Sequence, residues 1–276
     1  MSSALEPLQT PAYTWEWGRR TFIMGIINVT PDSFSGDGLA GRLDSIVSLA
    51  REMVTAGADM IDVGGESTRP GHVPISAEEE LRRVLPAVEA LAPAIDVPIS
   101  IDTSKAVVAE AALRAGARIV NDVRGFTYDP ELALVAAQSG APVIIMHDRK
   151  ISDADRLIPD ITRELCRRIE HALASGIPWE HIIIDPGFGF GKTPGLNLLL
   201  LRRMHELTAI GRPILAGTSR KSMIGKVLGS DPQDRIEGTA ATVTLAIANG
   251  ADVVRVHDVA AMARVARMTD AVVRGS

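Results

Sequence analysis

The sequence predicts an α/β fold, a (β/α)8 TIM barrel in a single domain, on three observations. One phrase recurs along the chain, a helical stretch, a glycine, a short link and a β-branched run, at residues 55–64, 114–123, 138–147, 174–185 and 248–257. Its glycines, Gly57, Gly116, Gly140, Gly176 and Gly250, stand where a helix can end in the left-handed conformation before a strand begins. The β-branched runs are short and apolar, as in a parallel sheet covered by helices. Nearly every run also stops at a polar residue, as expected where strand ends share one mouth. An open doubly wound sheet is the competing topology.

Taken in order, the strand runs begin near Phe22, Met60, Ile99, Ile119, Val143, Ile182, Ile214 and Val253. Helical patterns fill the gaps: Leu43–Ala56, Glu78–Leu91, Lys105–Ala115, Glu131–Ser139, Asp160–Ala174, Leu196–Ala209, Ile236–Asn249 and Ala260–Val273. No linker divides the chain, so residues 13–276 are expected to form the barrel and residues 1–12 a flexible tail. A barrel of about 250 residues as one unit is ordinary.

Composition narrows the function. The 276 residues are 46% hydrophobic, 23% charged and 4% aromatic, with a formal charge of −5. That apolar share can build a core, which excludes wholesale disorder. The acidic balance argues against a broad nucleic-acid-binding face but leaves room for a local basic pocket. The single cysteine, Cys166, rules out an intrachain disulfide and a cysteine-rich zinc site, and is expected to be a buried, inert helix residue. The first residues hold Glu6 and two prolines without a continuous apolar region, so no secretory signal is expected. No run approaches a membrane span, and a soluble, cytoplasmic protein is the expectation.

The strand ends read Asn28, Asp62, Asp102, Asn121 with Asp122, His147, Asp185, Ser219 with Lys221, and Arg255 with His257. Any one could cap a helix or face solvent; together they converge on one mouth. Arg255 and His257 share strand parity, so their side chains point to the same side and Val256 to the other. Three Gly/Ser/Thr-rich segments, 28–38, 64–76 and 217–225, suit anion binding through backbone N–H groups and hydroxyls. Residues 187–193 imitate a phosphate-binding loop, but Pro186 stands where the first glycine is required. Neither a nucleophile-elbow serine nor a two-histidine metal helix occurs.

In this order, residues 24–35, 62–71, 100–102, 121–122, 185–192, 219–222 and 255–257 closely resemble bacterial dihydropteroate synthase, over about nine-tenths of the chain. The resemblance implies a TIM barrel that joins a dihydropterin CH2 group to 4-aminobenzoate, releasing pyrophosphate and forming the folate precursor 7,8-dihydropteroate. It further implies Mg2+, a homodimer and a sulfonamide target. A pterin-binding methyltransferase-type barrel would share the strand-end Asp and Asn residues without needing the anion loops. A Schiff-base aldolase using Lys221 and a pterin-binding subunit without turnover are further competitors.

That chemistry distributes roles. Asp185 and Asn121 suit the pterin edge, with Asp102 toward the opposite ring, Lys221 near the carbonyl and Met146 as an apolar wall; all five match the family's pterin contacts. Asn28, Thr68, Arg69, Arg255 and His257 are expected at the pyrophosphate, where tighter grip as the C–O bond breaks lowers the barrier. Lys221, Arg255, His257 and Asn28 form the expected catalytic set, with Asn28 also a Mg2+ ligand. Asp37 is a further metal candidate, although its acid stands one residue later than in the family. Phe34, Arg69, Pro70, Phe190, Ser219 and Ser222 are expected to receive 4-aminobenzoate, its carboxylate at the helix start after Lys221. His147 is read as structural, in a loop that departs from the family's Met-His-Met.

Overall fold

Eight parallel strands form a barrel, as a computed structural model that describes residues 5–29, 38–67 and 73–275 shows. The strands are β3 (Phe22–Asn28), β4 (Met60–Gly64), β5 (Ile99–Asp102), β6 (Ile119–Asp122), β7 (Val143–Met146), β8 (Ile182–Asp185), β9 (Leu215–Ala216) and β10 (Val253–Val256), after a two-stranded hairpin of β1 (Leu8–Gln9) and β2 (Thr14–Trp15). Sequence neighbours pair in parallel from β3 to β8, and β10 pairs with both β3 and β9. A parallel bridge between Ile184 and Ile214 closes the ring. Seven of the eight expected strand starts coincide with the observed ones; β9 begins at Leu215, one residue after Ile214.

The helices α1 (Gly38–Thr55), α2 (Ala77–Leu91), α3 (Ala106–Ala115), α4 (Glu131–Ser139), α5 (Leu157–Ala174), α6 (Pro194–Arg203), α7 (Ser222–Leu228), α8 (Ile236–Ala248) and α9 (Val259–Val273) cover the sheet. The recurrent glycines all take positive φ, from 69° at Gly140 to 124° at Gly116. α2 begins at a Ser76 cap that accepts the Glu79 N–H, with Glu78, Glu79 and Glu80 in the first turn complementing the helix dipole. α6 ends earlier than its pattern predicts, continuing as a 3-10 turn over Met204–Ile210. α7, a short helix within the β9–α8 connection, was legible only as a helix start after Lys221.

The period-2 alternation of strands sorts the barrel interior into levels. Met24, Met60, Ile119, Ile144, Ile183, Leu215 and Val253 form one buried cluster. Two residues further along the same strands, the same face carries Asp62, Asn121, Met146, Asp185 and Arg255. Apolar filling therefore gives way to polar groups within one alternation of the pleat, which places the site at the C-terminal mouth.

The opposite end is closed by residues 8–17, so within the tail expected for residues 1–12 the part from Leu8 onward packs on the barrel. Leu8 and Trp15 pair in the hairpin register, and both lie in the barrel cluster with Trp17 and Phe22. Trp15 packs on Phe22 at 5.6 Å and on Trp17 at 5.7 Å between ring centroids. An open apolar barrel bottom needs a plug, and these side chains provide it. Cys166 is half-buried on α5 rather than fully buried, and burial raises its thiol pKa.

Leu8 is completely buried, so Leu8→Ala should cost about 2–5 kcal/mol of stability by denaturant unfolding. A loss below about 0.5 kcal/mol would mean that the hairpin does not plug the barrel.

Candidate active site

Arg255 organises the mouth. Its Nε donates to Asp62 Oδ2 at 2.6 Å and its Nη2 to Asp102 Oδ2 at 2.8 Å, so β10 is tied to β4 and β5 by charge as well as by packing. Asn121 on β6 donates its amide N–H to the same Asp62 oxygen at 3.1 Å. Burial opposes the Arg255 charge, but Asp62 and Asp102 outweigh it and raise the pKa above that of an ordinary arginine. Asp102 moves the other way from a normal carboxylate: burial raises its pKa, Asp62 adds to the rise and Arg255 opposes it.

Asp185 ends β8 with one oxygen occupied, Oδ1 accepting the Gly187 N–H at 2.7 Å. Burial raises its pKa against that hydrogen bond and the nearby Lys221. Met146 stands opposite Asp185 in register, and both are buried. Lys221, half-buried, places Nζ 4.5 Å from the centroid of the Phe190 ring. Burial and Arg255 push its pKa down to about 8, with Asp185 and Asp102 acting against them. Gly189, at φ +80°, permits this approach, since a Cβ there would meet Lys221 Cδ at 3.0 Å.

The Ser-Arg-Lys-Ser segment is held in a conformation it would not adopt alone. Arg220 has φ 56°, a left-handed conformation that disfavours a branched backbone substituent. Its guanidinium makes a bidentate pair with Asp258 at 3.0 and 2.6 Å, its N–H donates to Thr239 Oγ1 at 3.1 Å, and its carbonyl accepts from Arg235 at 2.8 Å. These contacts fix Lys221 at the start of α7. Ser222 is the first residue of that helix and is exposed. Ser219 lies on His257 instead of facing outward: its Oγ is 3.0 Å from His257 Nδ1 and accepts the His257 backbone N–H at 3.2 Å.

His147 is buried, as a structural residue should be. Its Nδ1 lies 3.1 Å from Lys192 Nζ, which also donates to the carbonyls of Gly187 at 2.9 Å and Phe190 at 3.1 Å. Lys192 thus turns into its own loop, and the imitation of a phosphate-binding loop fails because its ammonium is spent. Burial and Lys192 push the His147 pKa down to about 3. Gly187 must be glycine here, because a Cβ would sit 1.8 Å from the His147 carbonyl oxygen.

Asn28 ends β3 opposite Gly64, with its side chain making no hydrogen bond among the described residues. Phe34, Asp37, Thr68, Arg69 and Pro70 lie outside the described residues. Sequence reasoning noted Asp62 as a strand end but gave it no role. Its parity with Met60 was the available signal, and its partner is 193 residues away.

The profile of the family described as "Pterin binding enzyme" matches residues 24–257. Dihydropteroate synthase of a Synechocystis species is 47% identical, covering 97% of this chain and 96% of its own. That of Bacillus subtilis is 45% identical, covering 96% and 93%. The chain belongs to the dihydropteroate synthase family. A dihydropteroate synthase from Clostridium difficile, crystallised in the presence of pteroic acid, superposes with TM-score 0.91 at 51% identity, covering 94% of this chain and 99% of its own. One from Xanthomonas albilineans with 4-aminobenzoic acid gives TM-score 0.90 at 40% identity, covering 97% and 98%. A Yersinia pestis dihydropteroate synthase in a sulfonamide complex gives TM-score 0.91 at 41% identity, covering 98% and 100%.

Two imidazoles, buried His147 and half-buried His257, predict sensitivity to acid. Burial and Arg255 push His257 down to about 4, and His147 is held at about 3, both from 6.5. Below pH 6.5 the unfolded chain takes up protons that the folded chain refuses, so the stability is fully present above 6.5 and lost as pH falls toward 4. Each imidazole contributes up to about 1.4 kcal/mol per pH unit. His257→Gln should make the stability–pH slope in that window shallower by about one proton, read by denaturant unfolding at several pH values. Identical slopes would mean that His257 titrates normally.

Proposed function

We propose that the chain catalyses the dihydropteroate synthase reaction, joining the CH2 group of 6-hydroxymethyl-7,8-dihydropterin pyrophosphate to 4-aminobenzoate. The observation that carries this reading is one mouth holding an acid-lined floor (Asp62, Asp102 and Asp185 with Asn121) and the cations Arg255 and Lys221. A methyltransferase-type pterin barrel accounts for the floor but not for the relatives, which carry the synthase name along nearly the whole chain.

In this reading the pterin lies in the floor. Asp185 retains an oxygen to accept ring N–H groups, and Asn121, oriented by its bond to Asp62, presents its amide oxygen. Asp102 takes the opposite ring, Lys221 the carbonyl and Met146 the apolar wall. Arg255 and His257 hold the diphosphate. The C–O bond breaks, its electron pair leaves with pyrophosphate, and the dihydropterin carries the positive charge on its methylene. The aromatic amine, nucleophilic while neutral, forms the C–N bond and then gives up a proton to pyrophosphate or water. No strong base is needed, which agrees with a His257 held neutral by burial and by Arg255. Phe190 lines the 4-aminobenzoate slot with Phe34 and Pro70. Ser222 receives the carboxylate, Thr68 and Arg69 keep the anion-contact roles their sequence motif implies, and sulfonamides compete for the same slot.

Mg2+ fits as a companion of the diphosphate. Among the described residues no three His, Cys, Asp or Glu side chains gather as ligands, whereas Asn28 has an uncommitted amide oxygen and Mg2+ ordinarily takes most of its ligands from phosphate and water. Asn28, and Asp37 from its loop, would hold the ion, which would neutralise charge on the leaving group. A homodimer is supported by exposed Leu245 on α8 and Met268 and Val272 on α9. No helix among the described residues is long and apolar enough to cross a membrane, and a cytoplasmic site of action is proposed with the reaction.

Incubation with the pterin pyrophosphate, 4-aminobenzoate and Mg2+ should yield 7,8-dihydropteroate; absence of product from folded protein would overturn the reading. Lys221→Ala should lower kcat/KM by about 2–4 kcal/mol, the size of one lost preorganised donor. Near-full activity would remove Lys221 from the transition state. By calorimetry, Mg2+ alone should bind weakly and tighten when pyrophosphate is present; equal affinity in both conditions would point to an all-protein metal cage.

A further inference from the structure

We infer that Ser219 is a positioning residue for His257, fixing its imidazole as the tautomer that carries hydrogen on Nε2 and turning that N–H toward the leaving diphosphate. The inference deepens the proposed function and rests on it for the identity of the anion; the tautomer itself follows from hydrogen-bond accounting.

Ser219 is 5% exposed, and its hydroxyl has two neighbours among the described residues, both on His257. The backbone N–H of His257 donates to Oγ at 3.2 Å, which fills one lone pair. The second contact, Oγ to Nδ1 at 3.0 Å, can run in either direction. If Nδ1 carried the hydrogen, Oγ would accept twice, and its own O–H would be buried without an acceptor, costing about 1–3 kcal/mol. If the hydroxyl donates to Nδ1, all three groups are satisfied. Nδ1 is then the acceptor, and the hydrogen resides on Nε2, which has no partner among the described residues.

The surroundings keep the ring neutral. Arg255 from β10, Arg220 from the Ser-Arg-Lys-Ser segment and Lys221 at the start of α7 all oppose a second proton, with Asp258 alone favouring one, and burial acts with the cations. His257 therefore meets an anion as a fixed neutral donor, while Arg255 and Lys221 supply the charge. The sequence placed Ser219 among the 4-aminobenzoate contacts; the geometry brings its hydroxyl to His257. Ser219 comes from the β9–α7 connection and His257 from just beyond β10, so the pair also locks the Ser-Arg-Lys-Ser segment to the end of β10.

The test is nitrogen NMR on protein labelled in its histidine rings, with His257 assigned by loss of its signals in His257→Gln. Wild type should show pyridine-like Nδ1 and pyrrole-like Nε2, unchanged from pH 8 to about 5.5. Ser219→Ala should give a mixture of tautomers and weaken inorganic pyrophosphate by about 5- to 10-fold, with free-pterin affinity unchanged. Ser219→Thr, which keeps the hydroxyl, should restore both. A wild-type Nδ1–H tautomer, or a Ser219→Ala protein with unchanged tautomer and unchanged pyrophosphate affinity, would overturn the inference. The NMR signature needs no turnover, so absence of synthase activity with the expected signature would sink the functional reading and leave the tautomer standing.

Discussion

Arg255 stands between Asp62 and Asp102 at the point where the barrel changes from apolar to polar. Removing a guanidinium and two carboxylates from water is costly, and their mutual attraction offsets that cost only with good geometry. Here the geometry is imposed by three strands whose register is fixed by the barrel: Arg255 is level with Met24, and Asp62 with Ser100. The cluster is one charge out of balance, with two acids to one cation. Burial, with Asp62 beside it, raises the pKa of Asp102 against the pull of Arg255, while the two acids outweigh burial and strengthen the hold of Arg255 on its proton.

The rest of the mouth follows the same logic of preorganisation. Each candidate group is held by a neighbour: Asp185 by the Gly187 N–H, Asn121 by Asp62, and Lys221 by the constrained Arg220 backbone behind it. Arg220 is bound to Asp258, one residue beyond His257, so the segment that carries Lys221 and the strand end that carries His257 move as one piece. Buried polar groups held by such partners have one geometry, and that geometry is present without substrate.

What the sequence made legible was whatever depends on local periodicity. Glycine-to-strand phrases gave the barrel and most strand starts, and strand parity put Arg255 and His257 on one side. The N-terminal hairpin was not legible, because Leu8 and Trp15 are held by the barrel bottom and not by their own neighbours. Nor was the role of Asp62, whose partners Asn121 and Arg255 lie 59 and 193 residues away. The contact of Ser219 with His257 was not legible for the same reason. A serine in a glycine- and serine-rich loop reads as an anion contact, and only the fold brings it within reach of a histidine 38 residues on.

Under the proposed function, the balance of charge at the mouth also bears on how a diphosphate would bind there. An anion reaching Arg255 competes with Asp62 and Asp102 for the same guanidinium, and sharing weakens the arginine's hold on each carboxylate. Asp102 then binds a proton more readily, since burial has already raised its pKa. A proton on Asp102 removes one negative charge as the diphosphate adds its own, which limits repulsion across the site without moving the backbone. Floor and rim are therefore linked through one arginine, and occupancy of either changes the electrostatic state of the other.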